Sequence, residues 1–116
     1  MIKTKRVYDP AEVSDGRRFL VDRVWPRGKR KDAMHLESWL KDAAPSTELR
    51  RWFNHDPDKW EEFRNRYWAE LDTNKGNLDP IRSALQKGPV TLLYSAHDLE
   101  HNNAVALKQY LEKRKR

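Results

Sequence analysis

Two short apolar runs far apart in the chain, FLVDRV at residues 19–24 and VTLLY at residues 90–94, limit the fold more than any other feature. Each is β-prone, too brief for a stable helix, and bounded by a breaker, Gly16 before the first and Gly88-Pro89 before the second. Neither alternates polar with apolar, as a strand with one wet face would, so both are expected to be buried on two sides and to run parallel. Residues 2–7 form a third, weaker strand candidate. Their alternation of apolar and basic side chains suits a position nearer the sheet edge.

Most of what remains carries a helical period. Asp56-Pro57-Asp58 supplies an N-cap, a proline in the first helical position and an early acid, after which Trp60, Phe63, Tyr67 and Leu71 recur on one face. Before it, Leu49, Trp52 and Phe53 form a short amphipathic helix that stops at Asn54, a residue able to take the left-handed conformation after a helix end. Asp79-Pro80 opens another helix through Ile81, Ala84 and Leu85, ended by Gly88, and the last helix turns Ala104, Leu107 and Leu111 inward. The spacing of Leu36, Trp39 and Leu40 predicts one more helix ahead of Ala44-Pro45-Ser46. The expected fold is α/β, a small three-stranded, mostly parallel sheet covered by helices, in a single domain over residues 1–116.

With 37% hydrophobic and 36% charged residues and a mean hydropathy of −1.07, the composition borders on that of disordered chains; five tryptophans and the periodic apolar positions argue for a small aromatic core instead. The absence of cysteine removes thiol nucleophiles, disulfides and thiolate metal sites. No run of eighteen apolar residues occurs and MIKTKRVYDP does not resemble a secretion signal, so no membrane partner and a cytoplasmic location are expected. Residues 1–31 hold ten basic and four acidic side chains, residues 32–112 ten and fourteen, and Lys113, Arg114, Lys115 and Arg116 are all basic. Positive charge thus gathers at the two ends, which suits either nucleic-acid binding through Lys3, Lys5, Lys29, Arg30, Lys31 and the tail, or plain solubility with a solvated helix end.

If the two buried strands are parallel, Arg23-Val24-Trp25-Pro26-Arg27-Gly28 and Tyr94-Ser95-Ala96-His97-Asp98 emerge at the same carboxyl edge, where open α/β sheets bind ligands. Arg23 and Arg27 would hold an anion there, beside the free N–H groups of the helix that starts near Asn102 or Asn103. Trp25 and Tyr94 would wall the site, while Ser95, Asn102 and Asn103 would supply hydrogen bonds. In the contrary reading, Arg23 pairs with Asp22 or Asp98, Trp25 seals the core, and Pro-Arg-Gly is only a turn. The candidate proton-transfer groups are His55, His97 and Asp98, although His55 also suits a turn. His97 and His101 are four apart but lack a third ligand, so no metal or cofactor is expected. Ser95 lacks a Gly-x-Ser-x-Gly elbow and reads as a hydrogen-bonding group; Trp52, Trp60, Phe63, Tyr67 and Trp68 read as core, with Trp68 the residue most suited to exposure.

Five ordered stretches carry a family resemblance: residues 22–28, Trp39-Leu40-Lys41 with Ala44-Pro45-Ser46, residues 49–56, residues 90–96 with Asp98, and Asn102-Asn103-Ala104. Together they resemble the YeaO-like branch of domain-of-unknown-function family 488 over nearly the whole chain. The resemblance implies a small bacterial α/β protein with no assigned activity. Position 54 in such sequences is more often glycine, in keeping with a helix-ending role for Asn54, and position 97 more often lysine or arginine. Other branches carry cysteine near the last strand where Ser95-Ala96 stands here, so thiol chemistry does not transfer. The overall expectation is a binder of a small phosphate- or carboxylate-bearing ligand, with acid–base hydrolysis or transfer as its reaction class if it catalyses one.

Overall fold

The computed structural model describes residues 1–113; of the basic tail, residues 114–116 lie outside them. Four strands, β1 (Ile2–Arg6), β2 (Arg17–Leu20), β3 (Ser38–Trp39) and β4 (Val90–Tyr94), form one parallel sheet in the order β1-β4-β2-β3. The apolar β4 lies inside, pairing Ile2 with Val90 on one side and Phe19 with Leu92 on the other. As the lysine alternation suggested, β1 is at an edge.

Two expectations need correction. The second strand ends at Leu20 rather than Val24, and it begins earlier, at Arg17. Val21 still donates to the Leu93 carbonyl at 3.1 Å, but the Asp22 carbonyl accepts from Trp39 Nε1 at 2.7 Å and its carboxylate bonds elsewhere, which draws the chain out of the ladder. The strand can begin with two arginines because the buried Arg18 meets the carboxylate of Asp15 at 2.6 Å.

The second correction concerns residues 36–40, which are not helical: Ser38–Trp39 is a fourth strand, paired with Phe19 and Leu20. Three apolar residues spaced for a helix cannot outweigh the unpaired edge of β2, which Glu37 N–H and Leu40 N–H complete through the carbonyls of Arg18 and Leu20 at 2.7 and 2.9 Å. His35, at φ 53°, also interrupts the backbone just before this segment.

The predicted helices are α1 (Thr47–Phe53), α2 (Trp60–Thr73), α3 (Asp79–Leu85) and α4 (Asn103–Lys113). Asn54 ends α1 in the left-handed region at φ 46°, and Asp56 caps the 3-10 turn Pro57–Lys59 that leads into α2. All four helices contribute to the main core, where Phe63, Tyr67 and Leu71 of α2 meet Leu107, Tyr110 and Leu111 of α4 and Phe19, Val90 and Leu92 of the sheet. Trp68 is partly buried against this core and donates to the Ala106 carbonyl. The alternate strand residues, Leu20 and Leu93, point to a smaller cluster with Val7 and Met34, sealed by Trp25, Leu36 and Trp39.

Candidate functional site

Because β2 and β4 run parallel, the segments after them leave the sheet at one edge, and a cleft of about 610 Å³ opens there. Asp22 lies among its lining residues. Its Oδ2 accepts from the Ser95 N–H at 3.0 Å and the Ser95 hydroxyl at 2.7 Å, and its Oδ1 accepts from Asn103 Nδ2 at 3.0 Å. The same Asn103 amide donates to the Val21 carbonyl at 2.8 Å, so one carboxylate ties the ends of β2 and β4 to the start of α4. Burial pushes the Asp22 carboxyl above its ordinary pKa, against the Ser95 and Asn103 bonds and the charge of Arg50, which pull it down.

Among the described residues, four guanidinium groups line the cleft: Arg6, Arg23, Arg27 and Arg50. Arg23 pairs with neither Asp22 nor Asp98; its Nε and a terminal nitrogen donate to the Pro45 and Ala44 carbonyls at 2.9 and 3.2 Å. Arg6 donates to the carbonyls of Ala96 and Ser95 at 2.9 and 3.2 Å and lies 4.9 Å from the Tyr8 ring centre. Each uses two of the five N–H donors a guanidinium carries. Arg27 and Arg50 are exposed, and neither side chain has a hydrogen bond or ion pair among the described residues. The Arg27 carbonyl accepts from the Tyr8 hydroxyl at 3.1 Å, which fastens the loop that carries it. Trp25 reaches the cleft wall while its Nε1 donates to the Lys29 carbonyl at 2.8 Å and its ring meets Trp39 edge-on at 5.3 Å. Gly28, at φ 76°, supplies the positive φ that this Trp25-to-Lys29 loop needs.

Other predicted residues have different work. Tyr94 is buried in the main core and does not line the cleft, since its strand position faces the helices. Asn102 does line it, but its Oδ1 accepts from the Val105 N–H and its Nδ2 donates to the Asp98 carbonyl, both at 2.9 Å, which makes it the cap of α4. Asp98 is off the cleft wall: its Oδ1 accepts from the Glu100 and His101 N–H groups at 2.9 and 3.0 Å, and its Oδ2 meets His101 Nδ1 at 2.9 Å. The Glu100 N–H bond, followed by those from His101, lowers its carboxyl pKa, which disfavours a proton-donor role. His55 and His97 are exposed on the cleft rim, and His101 lines it with its ring edge-on to Trp60 at 5.4 Å. Among the described residues no three His, Asp or Glu side chains converge where a metal could sit, and no helix is long and apolar enough to cross a membrane.

Three charged lining residues escaped the sequence reading of the site. Arg6 and Arg50 look like ordinary surface charges on a strand and a helix, while Asp22 figured only as a partner for Arg23. The one available signal was a carboxylate directly after the apolar triplet Phe19-Leu20-Val21.

The chain matches, over residues 1–116, the family model described as the inactive DUF488-N3 subclade. It is 46% identical over 110 residues to the uncharacterized protein YeaO of Escherichia coli, an alignment covering 95% of this chain and 96% of that protein. It is 38% identical over 113 residues to uncharacterized proteins of Mycobacterium bovis and Mycobacterium tuberculosis, covering 97% of this chain and 95% of each. No solved structure is significantly similar.

Proposed function

The chain belongs to the DUF488 family, in its YeaO-like branch, and from that premise we propose that it binds a small phosphate- or carboxylate-bearing ligand in the cleft at the carboxyl edge of its sheet, without turning it over. The observation that carries this reading is the pair Arg27 and Arg50: two guanidinium groups without side-chain partners among the described residues, on a cleft that Arg6 and Arg23 also line. Among the described residues, four permanent positive charges against one lining carboxylate, that of Asp22, leave the cleft cationic, and guanidinium forks bind oxyanions bidentately. Trp25 serves as a wall, while Ser95 and Asn103 act through Asp22 rather than on the ligand.

Binding is favoured over catalysis by three features. The matching subclade is described as inactive. The segment after β4 carries serine and alanine rather than a thiol, and the Ser95 hydroxyl is committed to a carboxylate instead of a histidine base. His55 and His97 are exposed and lack an orienting partner among the described residues. The rival nucleic-acid surface is weakened by its own residues, because Lys3 and Lys5 are drawn to Asp15 at 3.1 and 3.0 Å and Arg30 faces Asp32 at 3.4 Å.

The test is thermal unfolding against phosphate esters, carboxylates and a short duplex DNA, with wild type beside Arg27→Ala and Arg50→Ala. A ligand at a hundredfold excess over its Kd adds about 2.7 kcal/mol to stability. A shift from a small anion that both substitutions abolish is expected. A shift with DNA alone, unchanged by either substitution and lost in high salt, would overturn the reading.

A further inference from the structure

Asp22 is the unusual member of this cleft. It is a half-buried carboxylate among four arginines, yet it forms no ion pair among the described residues. Its hydrogen-bond donors are the neutral Ser95 N–H and hydroxyl and the Asn103 amide. The guanidinium next to it in sequence, on Arg23, turns away to the Ala44 and Pro45 carbonyls, and Arg50 acts on it only through its field. A carboxylate accepts about four hydrogen bonds, and three are filled, which leaves acceptor capacity on Oδ1. For a purely anionic ligand this charge is a repulsive element inside the site. For a ligand bearing an ammonium or another N–H donor it is an attractive one, and a partly desolvated carboxylate gains most from such a partner.

We infer that the ligand of this cleft is zwitterionic, an amine-bearing phosphate or carboxylate whose anionic end meets Arg27 and Arg50 and whose amine donates to Asp22. The inference rests on the anion-binding reading and adds the second charge of the ligand. It also gives Asp22 a role in selectivity: the arginines attract anions in general, and the carboxylate discriminates against those without a donor.

Isothermal titration of wild type with two matched pairs tests this: ethyl phosphate against phosphoethanolamine, and propionate against β-alanine. The members of each pair share an anionic head and differ in the amine, so the preferred pair identifies the head group. The amine-bearing member is expected to bind about tenfold tighter, the scale of one hydrogen bond to a charged group. In Asp22→Asn that preference disappears and ethyl phosphate binds more tightly than to wild type, because the like charge is gone. Should Asp22→Asn fail to fold for want of an acceptor facing Asn103, Ser95→Ala replaces it: removing one donor from Asp22 is expected to widen the amine preference. Equal affinities within each pair, with binding still dependent on Arg27, would overturn the inference and leave the anion site standing. No binding by any of the four compounds would overturn both.

Discussion

Asp15 is a buried carboxylate whose loss should be costly to this protein. It has no exposed surface, and its carboxylate accepts from Lys3, Lys5, Arg18 and the Glu12 N–H at 3.1, 3.0, 2.6 and 3.1 Å. Its burial would raise the carboxyl pKa, but the Glu12 N–H bond and the cations Lys5, Lys3 and Arg18 overcome that and hold it well below the usual carboxylate range. Asp15→Asn keeps one acceptor oxygen and turns an NH₂ group toward cations. Lys3 and Lys5 keep 35% and 14% of their side-chain surface in water and can be resolvated, whereas Arg18 keeps 5% and is left with its Nε bond to the Met34 carbonyl and no carboxylate. The loss is therefore dominated by one buried guanidinium, and about 3 kcal/mol is expected, the lower end for breaking a buried pair. Urea unfolding followed by tryptophan fluorescence measures it. Because the folded-state pKa is depressed, the stabilisation is complete above the unfolded value of about 4 and is lost as pH falls below it toward the folded value. The gap between wild type and variant should thus be constant around neutrality and narrow only in acid. Adding Arg18→Met should recover part of the loss. A gap below about 1 kcal/mol at neutral pH, the size of an exposed pair, would refute the reasoning.

Other substitutions test the scaffold of the site. Gly16→Ala would set a Cβ 2.1 Å from the Pro89 carbonyl oxygen, which accepts from the Arg17 N–H, at a backbone φ of 66°; about 2–4 kcal/mol is expected in urea unfolding. Gly28→Ala meets nothing within 4 Å and should cost only about 1 kcal/mol, from its positive φ alone. Ser46→Ala removes the cap on the Leu49 N–H and the 2.6 Å bond to Glu70, with about 2 kcal/mol expected; a double-mutant cycle with Glu70→Ala separates the two parts. Asp22 slopes opposite to Asp15: its raised pKa means that stability falls as pH rises from the unfolded carboxyl value through the folded one, and Ser95→Ala should move that window upward in a carbon NMR titration.

Local chemistry made much of this architecture legible. The Asp56-Pro57 cap, the left-handed stop at Asn54, the inward stripes of α2 and α4 and the buried run of β4 all depend on neighbours within a turn or two. The placing of Arg23, Trp25, Ser95 and Asn103 around one edge was legible as well, because it needs only that two apolar runs pair in parallel. Residues 36–40 were misread because a two-residue edge strand has no period of its own; the open edge of β2 decided it. The early start of β2 was hidden for a related reason: Arg17-Arg18 reads as a loop until Asp15 is known to stand against Arg18.

Within the cleft, the sequence determined which charged residues follow the strands, and the tertiary structure alone decided what each is for. Arg23 is bound to carbonyls far along the chain, Asn102 is a helix cap, Tyr94 is core, and Arg27 and Arg50 have no side-chain partners among the described residues. Side-chain hydrogen bonds between distant segments leave no periodic trace, because they depend on where the chain returns rather than on its local pattern. Strands, caps and stripes follow from residues a few places apart, whereas the exposed guanidiniums and the hydrogen bonds that Ser95 and Asn103 make to the Asp22 carboxylate follow from contacts made across the whole fold.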